Sequence, residues 1–208
     1  MPLPSMKEQF AALIAVPSVS CTQPTLDQSN RGVIDLLASW LGDLGFNCDI
    51  QQVSPGKFNL LASFGSGPGG LVLAGHSDTV PYDEALWQTD PLKLTEVDNR
   101  WVGLGSCDMK GFFALVIEAV RPLLDQPFKQ PLLILATCDE ETSMAGARAL
   151  VEAGRPLFVR TPHSRMTLGN FMLSQLYGAF APLRIGMDIL TEEEHIRAGS
   201  MIAQGGLF

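Results

Sequence analysis

Residues 131–137 read PLLILAT, and the acidic triplet Asp139-Glu140-Glu141 follows at once. A short run that is apolar at successive positions, rather than at every second one, suits a strand covered on both faces. Working outward, residues 71–74, LVLA, have the same character and feed a loop at Gly75. Between these two strands the spacing predicts a strand pair at 91–96 and 100–104, turning through Asp98-Asn99, and then an apolar helix over 109–124 after Asp108. On the far side, Ser143 is placed to cap a helix that runs to Val151 or Glu152 and is closed by Gly154 and Pro156. Upstream, a helix is expected over 5–16, and a clearer one over about 27–44. In the second, Val33, Leu36, Leu37, Trp40, Leu41 and Leu44 share a face and Gly45 stops it. Two short alternating strands, 47–53 and 59–64, are separated by Pro55-Gly56. Helices alternating with buried strands predict a layered α/β domain around a mostly parallel sheet.

Composition narrows the function classes. The chain has 208 residues, 46% of them hydrophobic, with 14 Lys+Arg against 22 Asp+Glu and a net charge of -8. That is a globular composition, and an acidic surface argues against nucleic acid as a partner. No apolar stretch approaches the ~20 residues a membrane helix needs, and the N-terminus lacks a secretory leader pattern. The four cysteines show neither CxxC spacing nor a dense framework, so reduced thiols and a cytoplasmic location are expected. The charge is uneven: residues 1–155 hold 10 basic and 18 acidic residues, whereas 156–208 hold 4 of each. Two segments are therefore expected, divided near residue 155.

Chemistry gathers in three short motifs. GHSDTVP at 75–81 follows the LVLA strand, GLGSCDMKG at 103–111 opens the 109–124 helix, and DEETS at 139–143 follows PLLILAT. In open α/β sheets, ligands collect beyond the carboxyl ends of strands, so His76, Asp78, Asp108, Glu140 and Glu141 should converge there. An imidazole and several carboxylates suit a hard-to-borderline divalent ion such as zinc. Asp78, two residues after His76, could accept a hydrogen bond from the second ring nitrogen and fix the tautomer. Asp108 could bridge two ions. Adjacent Glu140 and Glu141 cannot both ionise cheaply in a dry pocket without a cation, and an ion beside one leaves the other free to act as a base. Taken singly, each motif has a plainer reading. A histidine after a strand is usually a hydrogen-bonded loop residue, acids before a helix suit its dipole, and Gly103-Leu104-Gly105 alone is a tight turn. Their convergence favours a metal site.

With GHSDTVP, GLGSCDMKG and DEETSMAGA in that order and spacing, residues 1 to about 155 resemble the dinuclear-zinc carboxypeptidase and aminoacylase family. LIAVPSVS, LDQSN, LLASWLGDLGF and KFNLLASFG extend the likeness, which is strongest to the branch that removes acetyl from N2-acetyl-L-ornithine in arginine biosynthesis. The resemblance implies a three-layer α/β zinc-peptidase-like catalytic domain and a metal-dependent amide hydrolase of a small N-acyl amino acid. It implies two zinc ions, with cobalt as a possible substitute. His76 would bind one ion, Asp108 would bridge, Glu141 would bind the second, Glu140 would be the general base and Asp78 would orient His76. It also implies a cis peptide at Asp108-Met109.

The pattern then departs. The Gly-Glu-Pro segment, the lid carrying a substrate histidine and the family's homodimer surface, and the final histidine ligand have no counterpart after Pro156. An incomplete catalytic domain is therefore expected, followed by a mainly helical tail over 156–208, with helices at 167–180 and after a Thr191–Glu194 capping box. Residues 157–208 resemble a carbohydrate kinase fragment too short to form a nucleotide cleft. His163, Ser164 and the Glu192/His195 pair read more simply as loop and helix-start residues than as replacement ligands or a nucleophile. Two functions compete on these grounds: an amide hydrolase impaired by truncation, and a non-catalytic metal-binding remnant.

Overall fold

A computed structural model describes residues 3–67 and 69–153, together with the backbone of 158–161 and 164–167. Helix α1 (Met6–Ala15) begins in a capping box, with Glu8 Oε2 accepting the Ser5 amide at 2.7 Å. Helix α2 (Arg31–Asp43) starts later than the apolar pattern suggests, because Leu26 and Asp27 both donate to the Gln23 carbonyl and use residues 23–27 as a turn. Gly45 ends it with φ +89°, a conformation that favours glycine.

Strands β1 (Asn47–Ser54) and β2 (Lys57–Phe64) form a hairpin, and β3 (Leu71–His76) follows. The short pair β4 (Thr95–Val97) and β5 (Arg100–Val102) turns through Asp98 and Asn99, both at positive φ. Helix α3 (Lys110–Val120), β6 (Leu132–Thr137) and α4 (Ala145–Glu152) complete the layers, and β7 (Phe158–Thr161) pairs with β8 (Ser164–Thr167). The remaining features expected for 156–208, including both helices and His163 and His195, lie outside the described residues. Among the described residues no helix is long and apolar enough to cross a membrane.

The main sheet has the order β1-β2-β6-β3. Only β3 and β6 are parallel in it; β2 runs antiparallel to both β1 and β6. The expectation of a mostly parallel sheet is thus corrected to a mixed one. The 47–64 pair is closed by a tight turn, and such a turn can only connect antiparallel neighbours. Alternation along the strands builds the layers. Leu60, Ala62, Ile134 and Ala136 pack with Phe10, Leu13, Leu37, Phe113 and Ile117 under α1, α2 and α3. Leu61 and Leu135 face the other way, onto Met144, Ala147 and Leu150 at and along α4. Helices on both faces bury β6, as its unbroken apolar run requires, and the three-layer α/β reading holds.

Candidate functional site

Parallel pairing sets the site. β3 and β6 run in register from Leu71↔Leu132 to His76↔Thr137, so His76 and the loop after Thr137 leave the sheet at the same carboxyl edge. The segment after α1 reinforces this edge: the Thr79 amide donates to the Ser18 carbonyl at 3.1 Å and the Ser20 amide to the Thr79 carbonyl at 2.9 Å. Asp108 arrives separately, immediately before α3. The position of α3 is secured by Lys110, whose buried Nζ donates to the Val16 carbonyl at 3.0 Å, and burial pulls that amine down to about 8.

Ligand atoms of His76, Glu140 and Glu141 lie within 4.8 Å of one another. His76 Nε2 is 3.1 Å from Asp108 Oδ1 and 3.9 Å from Glu140 Oε2. Asp108 joins from the solvent side, with a side chain 59% exposed against 5% for His76. Four of the five residues picked from the three motifs, His76, Asp108, Glu140 and Glu141, meet at this point. The Asp108-Met109 peptide is cis.

Asp78 sits behind the histidine, and its role in the geometry differs from the expected one. The Nδ1 partner is the Asp78 main-chain oxygen at 3.0 Å, while the carboxylate Oδ1 is 3.7 Å away and without a hydrogen-bond partner. The other carboxylate oxygen, Oδ2, accepts the Glu141 amide at 3.1 Å. Asp78 therefore ties the His76 loop to the glutamate loop. With Nδ1–H donating to the carbonyl, Nε2 is the ring nitrogen left to face Asp108 and the glutamates.

The electrostatics follow from crowding in a half-buried space. Burial pushes Glu141 up to about 7, with the charges of Asp108, Glu140 and Asp78 adding to it. Burial likewise lifts Glu140 and Asp78 above the ordinary carboxylate range. Burial opposes protonation of His76, but the Asp108 hydrogen bond and the Asp78, Glu140 and Asp108 charges outweigh it and raise the imidazole to about 9. The His76 hydrogen bond holds Asp108 below its usual value. Excess negative charge around one imidazole is what a cation would relieve. Cys138 adjoins the cluster, but burial first, then the Asp139 and Asp78 charges, push its thiol up to about 12, so it offers no thiolate.

Several supporting residues were not legible as such in the sequence. Ser77 accepts from Asn30 Nδ2 at 2.7 Å and donates to the Thr137 carbonyl at 2.8 Å. Lys57 pairs with Asp139 at 2.9 Å, and Asn59 accepts the Cys138 amide at 3.1 Å. The available signal was polar Lys57 and Asn59 alternating along a strand otherwise destined for burial. The α4 start is also a correction. Ser143 does not cap it; Met144 occupies the N-cap position at φ 55°, with its amide on the Asp139 carbonyl at 2.6 Å. The glutamate loop closes on itself there and leaves Ser143 outside the cap.

The chain is similar to known proteins in sequence and in fold. The chain is 55% identical over 152 residues to acetylornithine deacetylase of Vibrio campbellii, covering 73% of this chain and 40% of that protein. It is 57% identical over 152 residues to acetylornithine deacetylase of Klebsiella pneumoniae, covering 72% and 40% respectively. The chain thus spans about 40% of the length of these curated relatives. Among solved structures, human carnosine dipeptidase 1 is similar with a TM-score of 0.56 and 25% identity, over 71% of this chain and 34% of that one. The model of Peptidase family M20/M25/M40 matches residues 72–200, a stretch that contains every residue of the cluster and reaches past residue 155. Matched over more than half its length, and carrying the metal-ligand types of the cluster within that match, the chain belongs to Peptidase family M20/M25/M40.

Proposed function

We propose that residues 1–155 form part of the catalytic domain of a metal-dependent amide hydrolase, with a small N-acyl amino acid as substrate and N2-acetyl-L-ornithine as the first to test. The convergence of His76, Glu140 and Glu141 within 4.8 Å carries the reading, with Asp108 3.1 Å from the His76 ring. One imidazole and several carboxylates, with no thiolate available, fit zinc. His76, Asp108 and Glu141 would hold it, and a second ion, where present, would share Asp108. When bound, zinc supplies Lewis acidity, lowering the pKa of water and polarising the acyl carbonyl.

The chain's own residues do the rest. The Asp78 carbonyl fixes the His76 ring, and its carboxylate fixes the Glu141 main chain. Glu140, held by burial above the usual carboxylate range, is suited to accept a proton from water and return it to the leaving amine. The relatives, both named for acetylornithine deacetylation, support that choice of first substrate. The boundary near 155 is part of the proposal, and the carbohydrate-kinase likeness of 157–208 adds no activity to it. The family match running to residue 200 and the 152-residue likeness to the relatives draw that boundary differently.

The test is hydrolysis of N2-acetyl-L-ornithine with zinc or cobalt added. Turnover that disappears in Glu140→Gln, with zinc still bound, supports the proposal. A folded, zinc-loaded chain without turnover favours the second reading, a metal-binding remnant, which the 40% span of the relatives motivates.

A further inference from the structure

Asp139 is the point from which the glutamate loop hangs. Its main-chain carbonyl accepts the Met144 amide at 2.6 Å and the Thr142 amide at 3.4 Å, so residues 139–144 close into one turn. Its own backbone is left-handed, at φ 56°, a conformation that aspartate adopts more readily than most side chains and that turns the chain sharply here. The next two residues are Glu140 and Glu141, whose carboxylates belong to the cluster with His76.

What fixes Asp139 comes from elsewhere in the chain. Lys57 Nζ, on a side chain 7% exposed, lies 2.9 Å from Asp139 Oδ1 and 2.7 Å from Asp27 Oδ1, and it donates to the Gln28 carbonyl at 2.9 Å. Those three acceptors use all three ammonium hydrogens. Ser20 Oγ donates to the same Asp139 oxygen at 2.9 Å and meets Thr142 Oγ1 at 2.8 Å, so the far end of the turn is gripped as well. Asp27 also accepts the Cys21 amide at 3.0 Å, which closes the network onto the 18–28 segment. Burying an ion pair gives little net stability, whereas breaking one is costly, so a buried pair of this kind is better at fixing a geometry than at strengthening a fold.

We propose that Lys57 is a positioning residue of the metal centre: through its ion pairs with Asp139 and Asp27 it holds the 139–144 turn so that Glu140 and Glu141 face His76. The inference rests on the metal-centre reading above and extends it to a residue that touches neither metal nor substrate. Lys57, shared between Asp139 and Asp27, also offsets part of the charge of the first of three consecutive acids.

The test compares wild type, Lys57→Met, Lys57→Arg and, as a control, Lys7→Met, whose ion pair with Glu96 is exposed. Zinc affinity is read by competition with a chromogenic chelator, and amide exchange over 139–144 is read in the metal-free protein. Lys57→Met is expected to weaken zinc binding about 10-fold or more and to speed exchange in the turn while the α1 and α2 amides keep their protection. Lys57→Arg restores most of both, and Lys7→Met changes neither. Wild-type zinc affinity and unchanged exchange in Lys57→Met would overturn the proposal, as would an arginine variant no better than the methionine one. If Lys57→Met does not fold, Ser20→Ala loosens the same Asp139 oxygen with a smaller change and must move both readouts in the same direction. A wild type that takes up no zinc refutes the metal-centre reading instead, while the exchange data still decide whether Lys57 holds the turn.

Discussion

The side-chain oxygen of Asn59 accepts the Cys138 amide at 3.1 Å, and its nitrogen donates to the Gly146 carbonyl at 2.9 Å. One carboxamide on β2 therefore clamps both ends of the loop that carries Glu140 and Glu141. Asn59→Leu keeps the volume and removes both bonds, leaving the buried Cys138 amide without this partner. The expected loss is about 1–3 kcal/mol, read as a lower urea midpoint with an unchanged slope.

The metal-free protein should lose stability as pH rises. His76 is raised from 6.5 to about 9 in the folded state, so its contribution is fully present below about 6.5 and is lost as pH climbs through 9. Glu141, raised to about 7, acts in the same direction, losing its contribution as pH rises through that value. Denaturation with chelator present at pH 6, 7.5 and 9 should show a falling midpoint, and His76→Gln should flatten the trend. Zinc affinity should run the opposite way, rising about tenfold per pH unit for each proton displaced.

Scaffold and site should be separable. Leu37 in α2 is fully buried in the core beneath the sheet, on the face away from α4. Leu37→Ala should cost about 2–5 kcal/mol in thermal or urea unfolding. Below the transition the variant should bind zinc as the wild type does, because Leu37 belongs to the apolar layer under α1, α2 and α3 and not to the cluster of His76, Glu140 and Glu141.

The base assignment has its own consequence. Glu140 Oε2 stands 3.9 Å from His76 Nε2, yet the proposal gives Glu140 a proton to carry rather than an ion to hold. Glu140→Gln should leave zinc affinity within about threefold and lower hydrolysis by about 10²-fold or more, whereas Glu141→Gln should lower zinc affinity itself. Chelator competition and initial rates distinguish the two.

Much of this was legible in the residues. The unbroken apolar runs at 71–74 and 131–137 marked the buried strands, and the motifs that follow them sit at the same sheet edge because β3 and β6 are parallel. Periodicity could not show strand direction, and the hairpin closed at Pro55-Gly56 turned the sheet from mostly parallel to mixed. It also could not show which Asp78 atom meets His76. A carboxylate two residues on looks like the acceptor, yet the backbone turns so that the carbonyl reaches Nδ1 first. The Ser143 cap failed for a related reason: the loop satisfies its amides on Asp139 rather than on the nearest hydroxyl. Lys57 and Asn59 stayed silent because their partners in the glutamate loop, Asp139 and Cys138, lie more than seventy residues away.

The most direct test of the account is the zinc content of the folded chain. After loading at pH 8 and exhaustive dialysis, elemental analysis should find zinc bound to the wild type. It should find essentially none bound to His76→Ala, a variant still folded by circular dichroism. A folded wild type that retains no zinc, or a His76→Ala variant that retains as much as the wild type, would contradict the metal centre on which the functional reading stands.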